Sequence, residues 1–498
     1  MDYEYSTNVH EIRGRAFAGI GSLLFRQLFI KMAVFAGNIV LARILIPRFF
    51  GIFAIVSFVV QFFSTFGNVG IGAALIQKKD ELSDLLLSTI FWFQQILVLS
   101  VIIIVALIAP YVVKLYPTLP AGSMWLIRAM ALSFFFSSLK TIPAILMERS
   151  LNYKKIVWID ITETLVFQTV VIVCALAGLN VWSFIIAAIS RGLAGAIITF
   201  ILLPWKPSFS FSFISIKPLL KFGIPYQANG VLSLIKDSVT PIFIGSYVGA
   251  AAVGYVNWAK NLALAPMMLS ESYNKVSFTA FSRIQDDKPL LTRAIEKSMR
   301  TLTTIMFPIT TLAIALGPEI THIVFTDKWM PGIWAFYFFC TAPLTIGIVL
   351  PMYSAILSLG KSSVILKMST LLLFLEWGLG VPFILLFGFT GVAVNQPILA
   401  IIFFFIYNNV LKNNNITVSV TKNVIFQLLL AVSSALIIKL IAAAIHVNLI
   451  ILLILMLAGF FMYILGVFIF KKSILLEFED FIKTAIIHNK TKTSPVKI

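Results

Sequence analysis

The chain has 498 residues, of which 60% are hydrophobic and 12% charged, whereas a soluble domain is roughly 45–50% apolar and about 25% charged. That balance excludes a soluble globular protein. Lys and Arg number 38 against 20 Asp and Glu, a formal +18, and Phe is abundant at 45. A nucleic-acid binder would set such charge and such rings along a water-exposed groove; here the charge lies between apolar runs and the rings lie inside them. Cys174 and Cys340 both fall in apolar runs and make no disulfide framework.

A run of roughly 20 apolar residues crosses the ~30 Å hydrocarbon layer. Marked between Gly, Pro, Asn and charge clusters, the chain predicts about fourteen such spans. Six come first, at about 16–41, 52–76, 86–109, 122–147, 156–178 and 181–203. Six more follow at about 222–247, 253–280, 300–321, 333–357, 363–387 and 390–411, and two close the chain at about 424–445 and 449–470. The fold class expected is all-α and polytopic, with two six-helix lobes and two C-terminal helices. Its parts are a lobe at 1–203, an interfacial linker at 204–221, a second lobe at 222–411, two further helices at 412–470 and an amphipathic tail at 471–498.

Counting Lys and Arg in alternate loops gives orientation, because cytoplasmic loops retain positive charge. One side holds Arg13, Arg15, Lys78, Lys79, Arg149, Lys154, Lys155 and many more down to Lys472; the other holds Arg43, Arg48, Lys114 and Lys328. Both termini are therefore expected in the cytoplasm. The first run is too long, and carries Arg26 and Lys31, for a cleavable signal. The linker PWKPSFSFSFISIKPLLK alternates Ser and Phe, a period that suits a short strand or an interfacial connection; the latter is preferred. The charged stretch at 282–300, with Glu296 and Arg300 four apart, reads as a solvated helix end.

An internal repeat is also present. Aligned on Gly51 and Gly254, LARILIPRFFGIFAIVS matches IGSYVGAAAVGYVNWAK in pattern, and Ala144-Ile-Leu echoes Ala355-Ile-Leu. An even number of spans separates the copies, so the two lobes should face the same way about a pseudo-twofold axis along the membrane normal, with a transport route between them.

No catalytic constellation emerges. There is no HExxH and no GxSxG, and His10, His322, His446 and His488 are scattered. LGKSS at 359–363 ends like a phosphate loop, but Ala355 stands where the first Gly is needed. No metal site or cofactor is implied, and the longest external loop expected, Glu319 to Gly332, is short for a sugar polymerase or ligase.

Charges inside spans carry more information, since one at the bilayer centre costs roughly 2.5–3.5 kcal/mol even on a lenient scale. Arg26, Gln27 and Lys31 share a face of the first span, which holds no carboxylate of its own. Arg191 is central in the sixth span, near Asp160 and Glu163 of the fifth, and Glu163 is its candidate partner. Lys236 and Asp237 are mid-span in the seventh, while Lys260, Glu271 and Lys275 form a stripe on the eighth. Lys439 and Glu376 stand alone in their spans. The candidate substrate cavity is thus lined by Arg26, Lys31, Arg191, Lys236, Asp237, Lys260, Glu271 and Lys275, a cationic set suited to an anionic passenger such as a diphosphate.

Residues 41–92, from LARILIPRFFG to LLLSTIFW, resemble the N-terminal signature of bacterial polysaccharide flippases of the Wzx type, in the multidrug/oligosaccharidyl-lipid/polysaccharide exporter superfamily. MERSLNYKK at 147–155, WKPSFSFSFISIKPLLKFGIP at 205–225 and IGSYVGAAAVGYVNWAKNLALAP at 244–266 resemble that family's later segments in the right order. One departure is Arg48, where relatives tend to carry an acidic residue. The resemblance implies alternating access by a transporter in the bacterial cytoplasmic (inner) membrane. Its passenger would be an undecaprenyl-diphosphate oligosaccharide, its surroundings the lipid bilayer, and a polysaccharide polymerase with chain-length machinery its candidate protein partners. The rivals are an ion-coupled multidrug antiporter, which would want acidic residues in the first span, a lipid II flippase, and a membrane sugar polymerase or ligase.

Overall fold

The computed structural model describes residues 9–67, 70, 72, 74–75, 82–120 and 122–490. They form helices and turns, with no strand among the described residues. The chain divides into two compact units, Met1–Gly254 and Tyr255–Ile498.

In the first unit the long apolar runs become α1 (Val9–Ile44), α2 (Pro47–Gly67), α3 (Asp84–Leu115), α4 (Ser123–Leu139), α5 (Thr141–Arg149), α6 (Tyr153–Leu176), α7 (Trp182–Leu202) and α8 (Phe213–Asp237). Pro47 opens α2, where its missing N–H costs nothing. Ser83 caps α3 by accepting from the Leu86 N–H at 3.3 Å. Helix α6 is the hub, packed on α1 and α7, while α7 packs on α4 and α4 on α3. One apolar core joins Leu87, Ile90 and Phe91 of α3 to Ile142 and Leu146 of α5, Trp205, and Ile216 and Leu219 of α8. After α8 a π-helical turn, Thr240–Val248, leads through Gly249 at φ +118° into α9 (Ala250–Ala263). Helix α9 meets α2 almost backbone to backbone: a Cβ on Gly51 would collide with the Ala250 carbonyl oxygen, and one on Gly254 with that of Pro47. The contact is reciprocal, each glycine touching the residue four before the other. The two positions aligned in the repeat are therefore the two that touch, as in small-residue helix crossings in membranes.

The second unit continues with α10 (Ser270–Arg283), α11 (Lys288–Ala315), α12 (Gly317–Ile320), α13 (Ile333–Phe339), α14 (Thr341–Ser358), α15 (Ser362–Phe387), α16 (Gly391–Lys412), α17 (Val420–Ala444) and α18 (Leu449–Lys490), the last broken at Lys471. Asp287 caps α11, accepting from the Leu290 N–H at 2.9 Å. Leu291, Ile295 and Met299 of α11, Met352 and Ile356 of α14, and Tyr407 and Leu411 of α16 form its main core. The segment Glu319 to Gly332, expected as a loop, is wound into helical turns with Trp329 buried. The tail's apolar stripe at 474–486 lies outside the described side chains.

Among the described residues, ten helices are long and apolar enough to cross a membrane, or eleven with the pair Lys288–Ala315 and Gly317–Phe325, which bends by 71°. Two local features bear on the fourteen spans expected. The run Ser362–Lys412 counts once although it holds α15 and α16, joined by the turn Gly388–Thr390 and packed together. Residues 222–280, expected as two spans, are interrupted by the π-helical turn and by a 3-10 turn at Ala265–Leu269. Large apolar side chains such as Leu429, Leu440, Leu457 and Phe461 are exposed, while polar ones such as Gln168, Thr303, Asn395 and Gln427 are buried. That inversion belongs in lipid.

Candidate functional site

Helix α6 carries Asp160, Glu163 and Thr164 three and four residues further on, and Gln168 four beyond Thr164, which places them along one side. Asp160 accepts from Arg26 of α1, Nη1 to Oδ2 at 2.6 Å, both about a third exposed. Glu163, with a side chain only 5% exposed, is shared by two cations. Lys140, at the break between α4 and α5, donates to Oε1, and Arg191 Nε of α7 lies 3.4 Å from Oε2. Arg191 is nine residues into α7, about 14 Å from its start at 1.5 Å per residue, so the cluster sits deep in the span. Two glycines make room for it. A Cβ on Gly195 of α7 would strike Glu163 Oε1, and one on Gly37 of α1 would strike Gln168 Oε1, an oxygen that is buried without a hydrogen-bond partner.

Two cations on one carboxylate leave a positive charge in excess. Lys31 adds to it: the side chain is half-buried and has no hydrogen bond or ion pair among the described residues. A buried, tightly hydrogen-bonded carboxylate between two basic groups can orient them toward a third group that is anionic.

Of the expected cavity residues, the structure brings Arg26 and Arg191 to α6, through separate carboxylates. The expected Arg191–Glu163 tie is present; Arg26, expected without a carboxylate in its own span, finds one on another helix. Lys236 and Asp237 are the last residues of α8, 3.6 Å apart, and Asp237 is 60% exposed. Lys260 is exposed on α9, without a partner among the described residues. Glu271 and Lys275 lie on α10, their side chains outside the described ones. The stripe drawn through Lys260, Glu271 and Lys275 assumed one continuous helix, and the turn Ala265–Leu269 breaks it. Sequence reasoning missed Lys140, although a lone lysine inside a 27-residue span was a visible signal.

The charges expected to stand alone in the second unit do not. Lys439 Nζ lies 2.7 Å from Glu319 Oε1, and Glu376 accepts from Asn395 Nδ2 and Gln396 Nε2 at 3.4 and 3.3 Å. His322 and Asp327 pair at 2.5 Å on the exposed turn.

Long apolar helices with ion pairs inside their spans define an integral membrane protein. A sequence profile described as "Polysaccharide biosynthesis protein" matches residues 40–333, more than half of the chain, and the chain belongs to that family. The lipopolysaccharide biosynthesis protein WzxC of Escherichia coli (strain K12) is 26% identical over 345 residues, 68% of each chain. The succinoglycan biosynthesis transport protein ExoT of Rhizobium meliloti (strain 1021) is 24% identical over 293 residues, 58% of each. Among solved structures, the lipid II flippase MurJ in an inward closed conformation superposes with a TM-score of 0.70 at 16% identity, covering 92% of this chain and 99% of that one. An inward-facing multidrug resistance transporter of the MATE family gives 0.59 at 13%, covering 80% and 99%. At such identities the likeness is one of fold.

Proposed function

We propose that the protein is a flippase that carries undecaprenyl-diphosphate-linked oligosaccharide repeat units across the bacterial cytoplasmic membrane for surface polysaccharide synthesis. It is a transporter and performs no covalent chemistry. Membership of a polysaccharide biosynthesis family supports this reading, as do the relatives named for lipopolysaccharide biosynthesis and succinoglycan transport. The observation that carries it is the cationic excess inside the first unit: Lys140 and Arg191 on the single carboxylate of Glu163, with Lys31 nearby in sequence to the paired Arg26. A diphosphate cannot cross hydrocarbon unaided, because a bare ion there costs tens of kcal/mol, whereas its lipid tail can stay in the bilayer. Basic side chains replace the water around the diphosphate while the lobes at 1–203 and 222–411 rock in alternation. Lys236 and Lys260 contribute from the start of the second lobe, with Asp237, Glu271 and Lys275 balancing charge around them. Both termini face the cytoplasm, and a polymerase with its chain-length machinery receives the product.

An anion moving outward gains about 2.3 kcal/mol per net charge per 100 mV from an inside-negative potential, so no coupling ion is required. The antiporter alternative wants carboxylates in the first span, and residues 26–44 hold none. The test is transbilayer movement of a labelled undecaprenyl-diphosphate oligosaccharide in proteoliposomes, with and without an imposed potential. Movement above that in empty vesicles, faster under an outward-driving potential and lost in Lys31→Ala with Arg191→Gln, is expected. Folded protein that moves none of several glycans overturns the reading. Unchanged export in Arg26→Ala with Lys31→Ala, at normal protein levels, removes those two residues from the route.

A further inference from the structure

The connection between α7 and α8 is pinned along its length. The Ser208 N–H donates to Ser88 Oγ at 2.9 Å and the Ser212 N–H to Thr89 Oγ1 at 3.1 Å, so two hydroxyls on the first turns of α3 hold its backbone. Trp92 Nε1 donates to the Ser208 carbonyl at 2.9 Å. At its two ends Trp205, Ile216 and Leu219 are buried in the core of the unit. The backbone hydrogen-bonds to hydroxyls, not to another strand, so the Ser–Phe alternation serves to separate two faces rather than to build a sheet.

What faces outward is therefore fixed by the pinning. Phe209 is 95% exposed, Ile214 86%, Phe213 54% and Phe211 52%. Four large apolar side chains within six residues make a patch that a water-facing loop would not keep. The patch begins a few residues beyond the last residue of α7, Leu202, and is tied to the first turns of α3, both of which are membrane-crossing helices. In a bilayer crossed by those helices, the patch would lie beside their lipid-facing surface, where hydrocarbon gives way to headgroups. Lys206, Lys217 and Lys221 are exposed around it. Aromatic and aliphatic tips flanked by lysines at the end of spans match the acyl boundary on one side and anionic headgroups on the other.

We propose that residues 206–221 form a fixed interfacial anchor, in which Phe209, Phe211, Phe213 and Ile214 enter the acyl boundary and Lys206, Lys217 and Lys221 bind anionic lipid headgroups. The occupant of this surface is the bilayer and not another protein.

The test uses the full chain with Cys174→Ser and Cys340→Ala, carrying Phe211→Cys or Ile214→Cys labelled with an environment-sensitive fluorophore, two sites so that one misfolded variant does not decide the matter. Each is reconstituted in phosphatidylcholine vesicles with or without phosphatidylglycerol, containing lipids with a nitroxide near the headgroup or deep in the chain. Shallow nitroxides should quench more than deep ones, about twofold more strongly when phosphatidylglycerol is present, and Lys206→Gln with Lys217→Gln and Lys221→Gln should abolish that increase. Quenching by aqueous iodide instead overturns the anchor. A label shielded from iodide and from both nitroxides shows that protein covers the patch and overturns it equally. Quenching indifferent to phosphatidylglycerol overturns the assignment to anionic headgroups.

Discussion

In the first unit three cations of the spans meet carboxylates. Arg26 pairs with Asp160, and Lys140 and Arg191 close on Glu163. In the second unit Glu376 takes hydrogen bonds from the amides of Asn395 and Gln396, and Arg300 donates to Asn423 at 2.5 Å. Lys439 with Glu319 is an ion pair in that unit as well. The difference is in what each arrangement leaves behind when one member is removed. An amide is a replaceable dipole around an ion, whereas the buried carboxylate of Glu163 is shared by two cations, and its loss strands the largely buried Lys140. The first unit has thus concentrated its electrostatic cost on one side chain, Glu163, and with it an excess of positive charge that an anionic passenger can balance.

The largest effect should follow from breaking that centre. Glu163→Ala is expected to destabilise the purified protein by about 3–5 kcal/mol, the cost of removing one member of a buried ion pair, read as loss of monodisperse protein on heating in detergent. Replacing Lys140 and Arg191 by Met in the same chain should recover most of it, because an apolar substitute for a whole buried cluster is often neutral. Failure to recover would mean that Glu163 packs rather than neutralises. Next comes the glycine crossing: Gly51→Ala places a methyl against the Ala250 carbonyl, which no rotamer change can relieve, and should cost about 1–3 kcal/mol. Gly254→Ala should do the same against Pro47, and the two together should cost less than their sum, since the first already parts the helices. The smallest effect is expected in the second unit. Gln396→Leu removes one of two long amide contacts to Glu376 and should cost about 0.6 kcal/mol, typical of a hydrogen bond between membrane helices. A loss as large as that of Glu163→Ala would erase the contrast between the units.

Much of this arrangement could be read before any coordinates. The spans of the first unit follow from runs long enough for hydrocarbon, and the Arg191–Glu163 tie follows from two charges deep in consecutive spans. Arg26 illustrates the limit. Nothing in its own helix neutralises it, and its partner Asp160 is 134 positions away, on a helix that only packing brings to α1. Lys439 and Glu319, 120 positions apart, make the same point. Residues 222–280 show another limit: a π-helical turn and a 3-10 turn interrupt their helices, and hydropathy carries no record of backbone hydrogen-bond register.

By itself, then, the sequence determined that the chain lives in lipid, that it is helical, and that its spans carry more basic than acidic charge at depth. These are consequences of transfer free energy and of chain length against bilayer thickness, which depend on composition and order alone. The tertiary structure decided which charges are neutralised, that Gly37 and Gly195 give way to Gln168 and Glu163, that the aligned glycines Gly51 and Gly254 touch, and that the Ser–Phe segment is pinned with its rings outward. Each of those is a contact between helices far apart in the chain. Its energy falls off within a few ångströms, so only packing can say whether it exists.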